Sequence, residues 1–115
     1  MFLDCAICSM NYIEEELKFE IVLVDKNHAD VNVFVDSVTN RLGYTNFNLN
    51  FIGQKDYKSI GFEFSFPYGS NSISKKNIIM VTNLAYGLSP FLDEFHKKRY
   101  TLNKTNPNDH GYQYP

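Results

Sequence analysis

Two stretches of this chain constrain its fold more than any others. In "NFNLNFI", residues 46–52, Phe47, Leu49 and Phe51 alternate with Asn46, Asn48 and Asn50. In "IGFEFSFP", residues 60–67, Ile60, Phe62, Phe64 and Phe66 alternate with Gly61, Glu63 and Ser65. A period of two puts successive side chains on opposite faces of a strand, so each stretch reads as a strand with one buried face. The connection "GQKDYKS" is short enough to make them an antiparallel pair, and Pro67 ends the second strand. A sheet with one apolar face needs a second layer to cover it.

Other segments are expected to build the rest. "LKFEIVLV", residues 17–24, alternates and then turns continuously apolar, which predicts a central strand. "FLDCAICSM", residues 2–10, reads as a neighbouring strand joined to it around 11–16, with a short helix there as the alternative. "VNVFV" has strand composition, yet Val31, Phe34, Val35, Val38 and Leu42 follow one helical face. Asp30 suits an N-cap and Gly43 a left-handed end, so residues 31–42 are read as a helix. Residues 67–76 carry turn-forming types and are expected to loop over the surface. Residues 77–87 fit either period and are read as a helix. "SPFLDEFHKKRY", residues 89–100, reads as another, with Ser89 as its cap, Pro90 at its first position, and Leu92, Phe95 and the Arg99 stem on its inner side. The order β(β)αββαα gives an α+β fold: a small, mainly antiparallel sheet with two or three helices packed on one face.

With 115 residues, 43% of them hydrophobic and 18 aromatic (ten Phe, eight Tyr), the chain suits one cored domain. That domain is placed at residues 1–102, followed by a polar tail at 103–115 that carries Tyr112 and Tyr114. The apolar runs are too short for a membrane-spanning helix, and Asp4 with no early Lys or Arg speaks against a secretory leader. A cytoplasmic protein without a membrane partner is expected. Thirteen Asn among many Ile, Lys, Phe and Tyr resemble AT-rich coding usage, as in many bacteria and mobile elements.

Net charge is -2, which disfavours direct nucleic-acid binding through a large basic field. Its distribution is uneven. Residues 1–40 hold eight acids against two bases, and residues 41–115 hold nine bases against five acids. The halves can complement each other within the fold, or the acidic part can face a basic partner.

The chemistry-bearing residues each have a plainer use. Cys5 and Cys8 stand at C-x-x-C spacing, but no second close pair of Cys or His accompanies them, so no zinc site is encoded and no cofactor is expected. On a strand, two residues three apart face opposite ways, which reads them as packed thiols over a redox or disulfide pair. Asp25, His28 and Asp30 are the one group suited to acid/base work, although turn formation and capping explain the same types. His96 with the following "KKRY" suits a solvated helix end. No phosphate-loop, dinucleotide, zinc-protease or nucleophile-elbow motif occurs.

These readings point towards a non-enzymatic protein that binds and neutralises a protein partner. An immunity protein against a bacterial toxin with a basic surface, such as a nuclease, or a phage-encoded inhibitor would fit. Tyr12, Glu14, Glu15, Glu16, Tyr68 and Asn71 are the expected contact residues: the carboxylates imitate phosphates, and the Tyr and Asn side chains supply anchors and adaptable hydrogen bonds. A small enzyme using His28 with Asp25 or Asp30 is the second expectation. The third is a structural subunit of a homo-oligomer joined through an open sheet edge.

Overall fold

A computed structural model of the chain describes residues 1–18, 21–68 and 73–103, with the side chains of 74–95 in the last stretch. The architecture is α+β. A four-stranded sheet in the order β1-β2-β3-β4 comprises β1 (Phe2–Asp4), β2 (Val31–Thr39), β3 (Thr45–Gly53) and β4 (Gly61–Tyr68). β1 pairs with β2 in parallel, and the other two pairings are antiparallel. Helices α1 (Met10–Leu17) and α2 (Ile73–Asn103) cover one face, and a single 3-10 turn, Lys55–Tyr57, lies in the β3–β4 connection.

The two alternating stretches form β3 and β4 as their period predicts. Phe47 faces Phe66, Leu49 faces Phe64 and Phe51 faces Phe62, so the apolar sets share one side. β2 extends that side with Val31, Val33 and Val35, and β1 adds Leu3. Opposite them α2 presents Met80, Leu84, Leu88 and Phe91, three or four residues apart on one helical stripe. Each such buried side chain stabilises the fold by about 1.5–3 kcal/mol. α1 contributes Ile13 and Leu17, one turn apart.

α2 runs back along β4, with Tyr86 edge-on to Phe64 at 5.6 Å and Phe91 6.2 Å from Phe62. Close approach depends on Gly87. A Cβ there would stand 2.1 Å from the Phe51 ring, which itself stacks on Phe62, Phe64 and Phe91.

Several expectations about the elements are corrected. The helix over 31–42 is instead β2 and its turn. Val31, Phe34, Val35 and Val38 fit a helical face while Val31, Val33 and Val35 fit a strand face, but four Val in eight residues favour a strand, and β3 offers a nine-residue partner. Leu42, placed inward by the helical reading, is 81% exposed. Gly43 does take a positive φ of 87°, but as part of the β2–β3 turn, in which Asn40 Oδ1 accepts the Leu42 and Tyr44 N–H groups.

Of the strand expected over 17–24, none of the described residues joins the sheet, and 19–20 lie outside them. Leu17 closes α1, and residues 21–24 only flank Met1, whose amine donates to the Val22 carbonyl at 2.9 Å and whose carbonyl accepts from Val24 N–H at 3.0 Å. The centre of the sheet is β2 and β3. Of the strand read over 2–10, only Phe2–Asp4 forms, and the short helix that stood as the alternative at 11–16 is α1.

The helices read over 77–87 and 89–100 are one element. Pro90 lies inside α2 and not at its start. Proline removes the N–H that would bond the Tyr86 carbonyl, but Ser89, Pro90 and Tyr86 are all exposed, so water can serve that oxygen. Of the loop read over 67–76, Pro67 and Tyr68 belong to β4 and residues 73–76 to α2, while 69–72 lie outside the described residues. Asn103, assigned to the tail, is the last residue of α2, and 104–115 lie outside the described residues.

Cys5 and Cys8, read as packed thiols facing opposite ways, are joined in a disulfide. Because β1 stops at Asp4, the strand alternation that separated the two sulfurs does not reach them.

Candidate functional site

The sheet has a second face, and much of it is uncovered. Outward from β3 point Asn46, Asn48, Asn50 and Ile52. In register beside them stand Asp36 and Val38 of β2, and Glu63, Ser65 and Pro67 of β4. At the β1 end, Phe2 meets Phe34 edge-on at 6.1 Å, and Lys26 lies 5.5 Å from the Phe34 ring centre. There Gln54 closes the surface: its Nε2 donates to the Lys26 and Ala29 carbonyls and to Asn32 Oδ1, which leaves Asn32 buried. Among the described residues nothing further covers this face. The four strands carry Asp4, Asp36 and Glu63 and no Lys or Arg.

Asn is a poor strand former, and three alternate Asn in a nine-residue central strand gain nothing from core packing. They present amide donors and acceptors in a row, spaced by about 6.6 Å, or two residues of strand. Such a row can bond a polar surface laid across the sheet, while Asp36 and Glu63 on either side of it favour cationic groups.

The acidic run occupies a different surface. Glu14, Glu15 and Glu16 are exposed in the second half of α1, and not at the edge of a hairpin. Carboxylates near a helix C-terminus face the negative end of its dipole and cost a few tenths of a kcal/mol each. Lys18, ion-paired with Glu15, offsets part of this. Tyr12 is half-buried on the same helix. Tyr68 is 9% exposed with its ring 5.9 Å from that of Phe47, so it belongs to the core and leaves the partner-facing set. Asn71 lies outside the described residues, as do the side chains of His96 and the "KKRY" that follows it.

A third region is a pocket of about 280 Å³ at the end of the core, where α2 passes residues 21–24. Met1, Val31, Tyr57, Leu88, Phe91 and Phe95 supply most of its apolar wall, with His28 and Asp30 at the mouth. Burial raises the Tyr57 phenol above its usual range, and nearby Asp30, Asp56 and Glu94 push the same way. Burial lowers the Met1 amine, against the pull of Asp30.

His28 and Asp25 do meet. His28 Nδ1 is 2.7 Å from Asp25 Oδ1, which also accepts the His28 backbone N–H at 3.0 Å. These bonds hold the Asp25 carboxyl below its ordinary range. Both side chains are largely in water, at 76% and 66% exposure, and Lys55 Nζ bonds the His28 carbonyl at 2.9 Å. Asp30 does not join the pair; its carbonyl accepts Gln54 N–H. The three residues form a turn whose imidazole touches the pocket from the solvent side.

Among the described residues no group of three or more His, Cys, Asp or Glu could hold a metal ion, and no helix is long and apolar enough to cross a membrane. No protein-family model, curated protein or solved structure matches the chain.

Proposed function

We propose that this chain is a non-enzymatic binding protein that captures a protein partner with a basic surface. An immunity protein that neutralises a bacterial toxin, for instance a nuclease, or a phage-encoded inhibitor is the specific form this takes. The observation that carries the reading is the open sheet face: a row of Asn46, Asn48 and Asn50 between Asp36 and Glu63, on strands without a single Lys or Arg. Residues placed where they disfavour the local structure, with no packing gain, mark surfaces kept for recognition. Both the Asn row and the Glu run of α1 are of this kind. Charge complementarity then selects a basic partner and speeds its approach.

Co-purification of the tagged full chain from a native lysate tests this. One stoichiometric protein with a basic surface, released by raised salt, is the expected result. Absence of any stoichiometric partner, or capture that ignores salt, would count against the reading. Glu14, Glu15, Glu16→Ala in the same assay tells whether α1 shares the interface with the sheet.

A second reading, a small enzyme using His28 with Asp25, draws on their 2.7 Å contact beside a pocket. The His28 side chain is 76% exposed, where water competes with any bound substrate for it, so this reading has less support. It requires His28→Ala to abolish an activity while leaving the partner bound.

A further inference from the structure

The Cys5–Cys8 pair sits in the turn between β1 and α1. β1 ends at Asp4, the two cysteines follow, Ser9 is the N-cap, and α1 begins at Met10. We propose that this pair is a reversible dithiol/disulfide site that exchanges with thiols and disulfides of its surroundings. The proposal is independent of the binding face.

Three observations carry it. The bridge spans a sequence separation of 3, and the Cys8 N–H already bonds the Cys5 carbonyl at 3.4 Å in the same turn. A cross-link stabilises a fold mainly by shortening the loops of the unfolded chain, and that gain is smallest for the shortest loop. As a staple this bridge therefore does little. Both cysteines pack against the core but are only partly buried, so the bridge lies at the surface of the fold and not inside it.

The third observation concerns the helix start. Ser9 makes no side-chain hydrogen bond to the first turn of α1. The first-turn N–H groups receive no bond from the Ser9 side chain and follow Cys8 directly in the chain. Such groups, with the positive end of the helix dipole, favour a thiolate, the form that attacks disulfides. Cys8 is accordingly the attacking sulfur and Cys5 the resolving one.

In the reducing direction, the Cys8 thiolate attacks one sulfur of a substrate disulfide. A Cys8–substrate bond forms, the substrate bond breaks, and one substrate thiol leaves with a proton. Cys5 then loses its proton and attacks Cys8 Sγ, restoring the Cys5–Cys8 bond and releasing the second substrate thiol. Two electrons pass from the protein dithiol to the substrate, and the reverse sequence oxidises a substrate dithiol.

The test uses the folded full chain in mixtures of reduced and oxidised glutathione, with alkylation and intact-mass measurement. Both thiols of the wild type should appear together, with far-ultraviolet dichroism unchanged. Cys5→Ser should accumulate a glutathione adduct on Cys8 at least tenfold faster than Cys8→Ser does on Cys5. If the wild-type bridge opens only under denaturing conditions, or the two variants react at equal rates, the proposal fails. The wild-type measurement stands even where a variant does not fold. A disulfide-bonded peptide offered to the reduced protein separates the substrate sources: faster exchange than with glutathione assigns protein disulfides, slower exchange the small-molecule pool.

Discussion

The two faces of β3 are built from adjacent residues and answer to different demands. Phe47, Leu49 and Phe51 are 4%, 0% and 0% exposed and lock the sheet against α2. Asn46, Asn48 and Asn50, one position along from each, reach outward, Asn46 exposed and the other two half-buried, to a face that no second layer of the described residues covers. The inner set is what elementary burial energetics require. The outer set is not, because Thr or Val would suit a strand better. A single strand thus separates the residues that make the fold from the residues left over for recognition.

The sharpest way to break this comparison is to truncate one residue from each face. Phe51→Ala should cost about 3–5 kcal/mol, since its ring stacks on three others, whereas Asn50→Ala should stay within about 0.5 kcal/mol. Chemical denaturation midpoints report both, and comparable losses would mean that the outer face is structural after all. Gly87→Ala comes next. The added methyl meets the Phe51 ring, so a loss of about 1–3 kcal/mol is expected, and a neutral result would show that α2 does not press on β3 as described.

The smaller effects depend on pH. Burial raises Tyr57, so the folded state favours the neutral phenol. The associated stability is complete below the unfolded phenol value of about 10 and falls as pH rises through the folded one; Tyr57→Phe should remove that alkaline loss. Asp25 is shifted the other way. Its contribution is present above about pH 4 and is lost as pH falls through the lowered folded value, and Asp25→Asn should abolish it. The chemical shifts of His28 would follow the breaking of that turn while the sheet stays intact.

How much was legible in the sequence follows the same division. β3 and β4 were readable because strict alternation of Phe and Leu with polar residues admits one period only. The α+β class and a helical layer on one face followed from them. β2 is ambiguous in the sequence because Val31, Phe34, Val35 and Val38 satisfy the helical period while Val31, Val33 and Val35 satisfy the strand period, and the choice between them is made by pairing with β3. Pro90 after Ser89 has the local signals of a helix start, yet a proline on the solvent side of a long, well-packed helix is tolerated. The 17–24 stretch was misplaced because continuous apolarity does not distinguish a central strand from a helix end and a packed connection.

The sites were less legible than the fold. The Asn row was visible as the polar half of an alternation, but its exposure depends on the absence of a second covering layer, which is a tertiary fact. Tyr68 looked like a loop residue and is core, because β4 runs one residue beyond Pro67. Strand geometry argues against a bridge between the cysteines, but the strand ends one residue before them. His28 and Asp25 were paired correctly, while Asp30, two residues further on, turns to the pocket mouth and not to the imidazole.

The central claim is that the open sheet face binds a basic protein partner. Titration calorimetry with the co-purified partner, comparing wild type with Asp36→Lys, Glu63→Lys, tests it most directly. The account predicts at least a tenfold loss of affinity, reduced further at low salt by repulsion, with an unfolding midpoint close to that of the wild type. Unchanged affinity in a folded double variant would contradict it and leave the sheet face without a role.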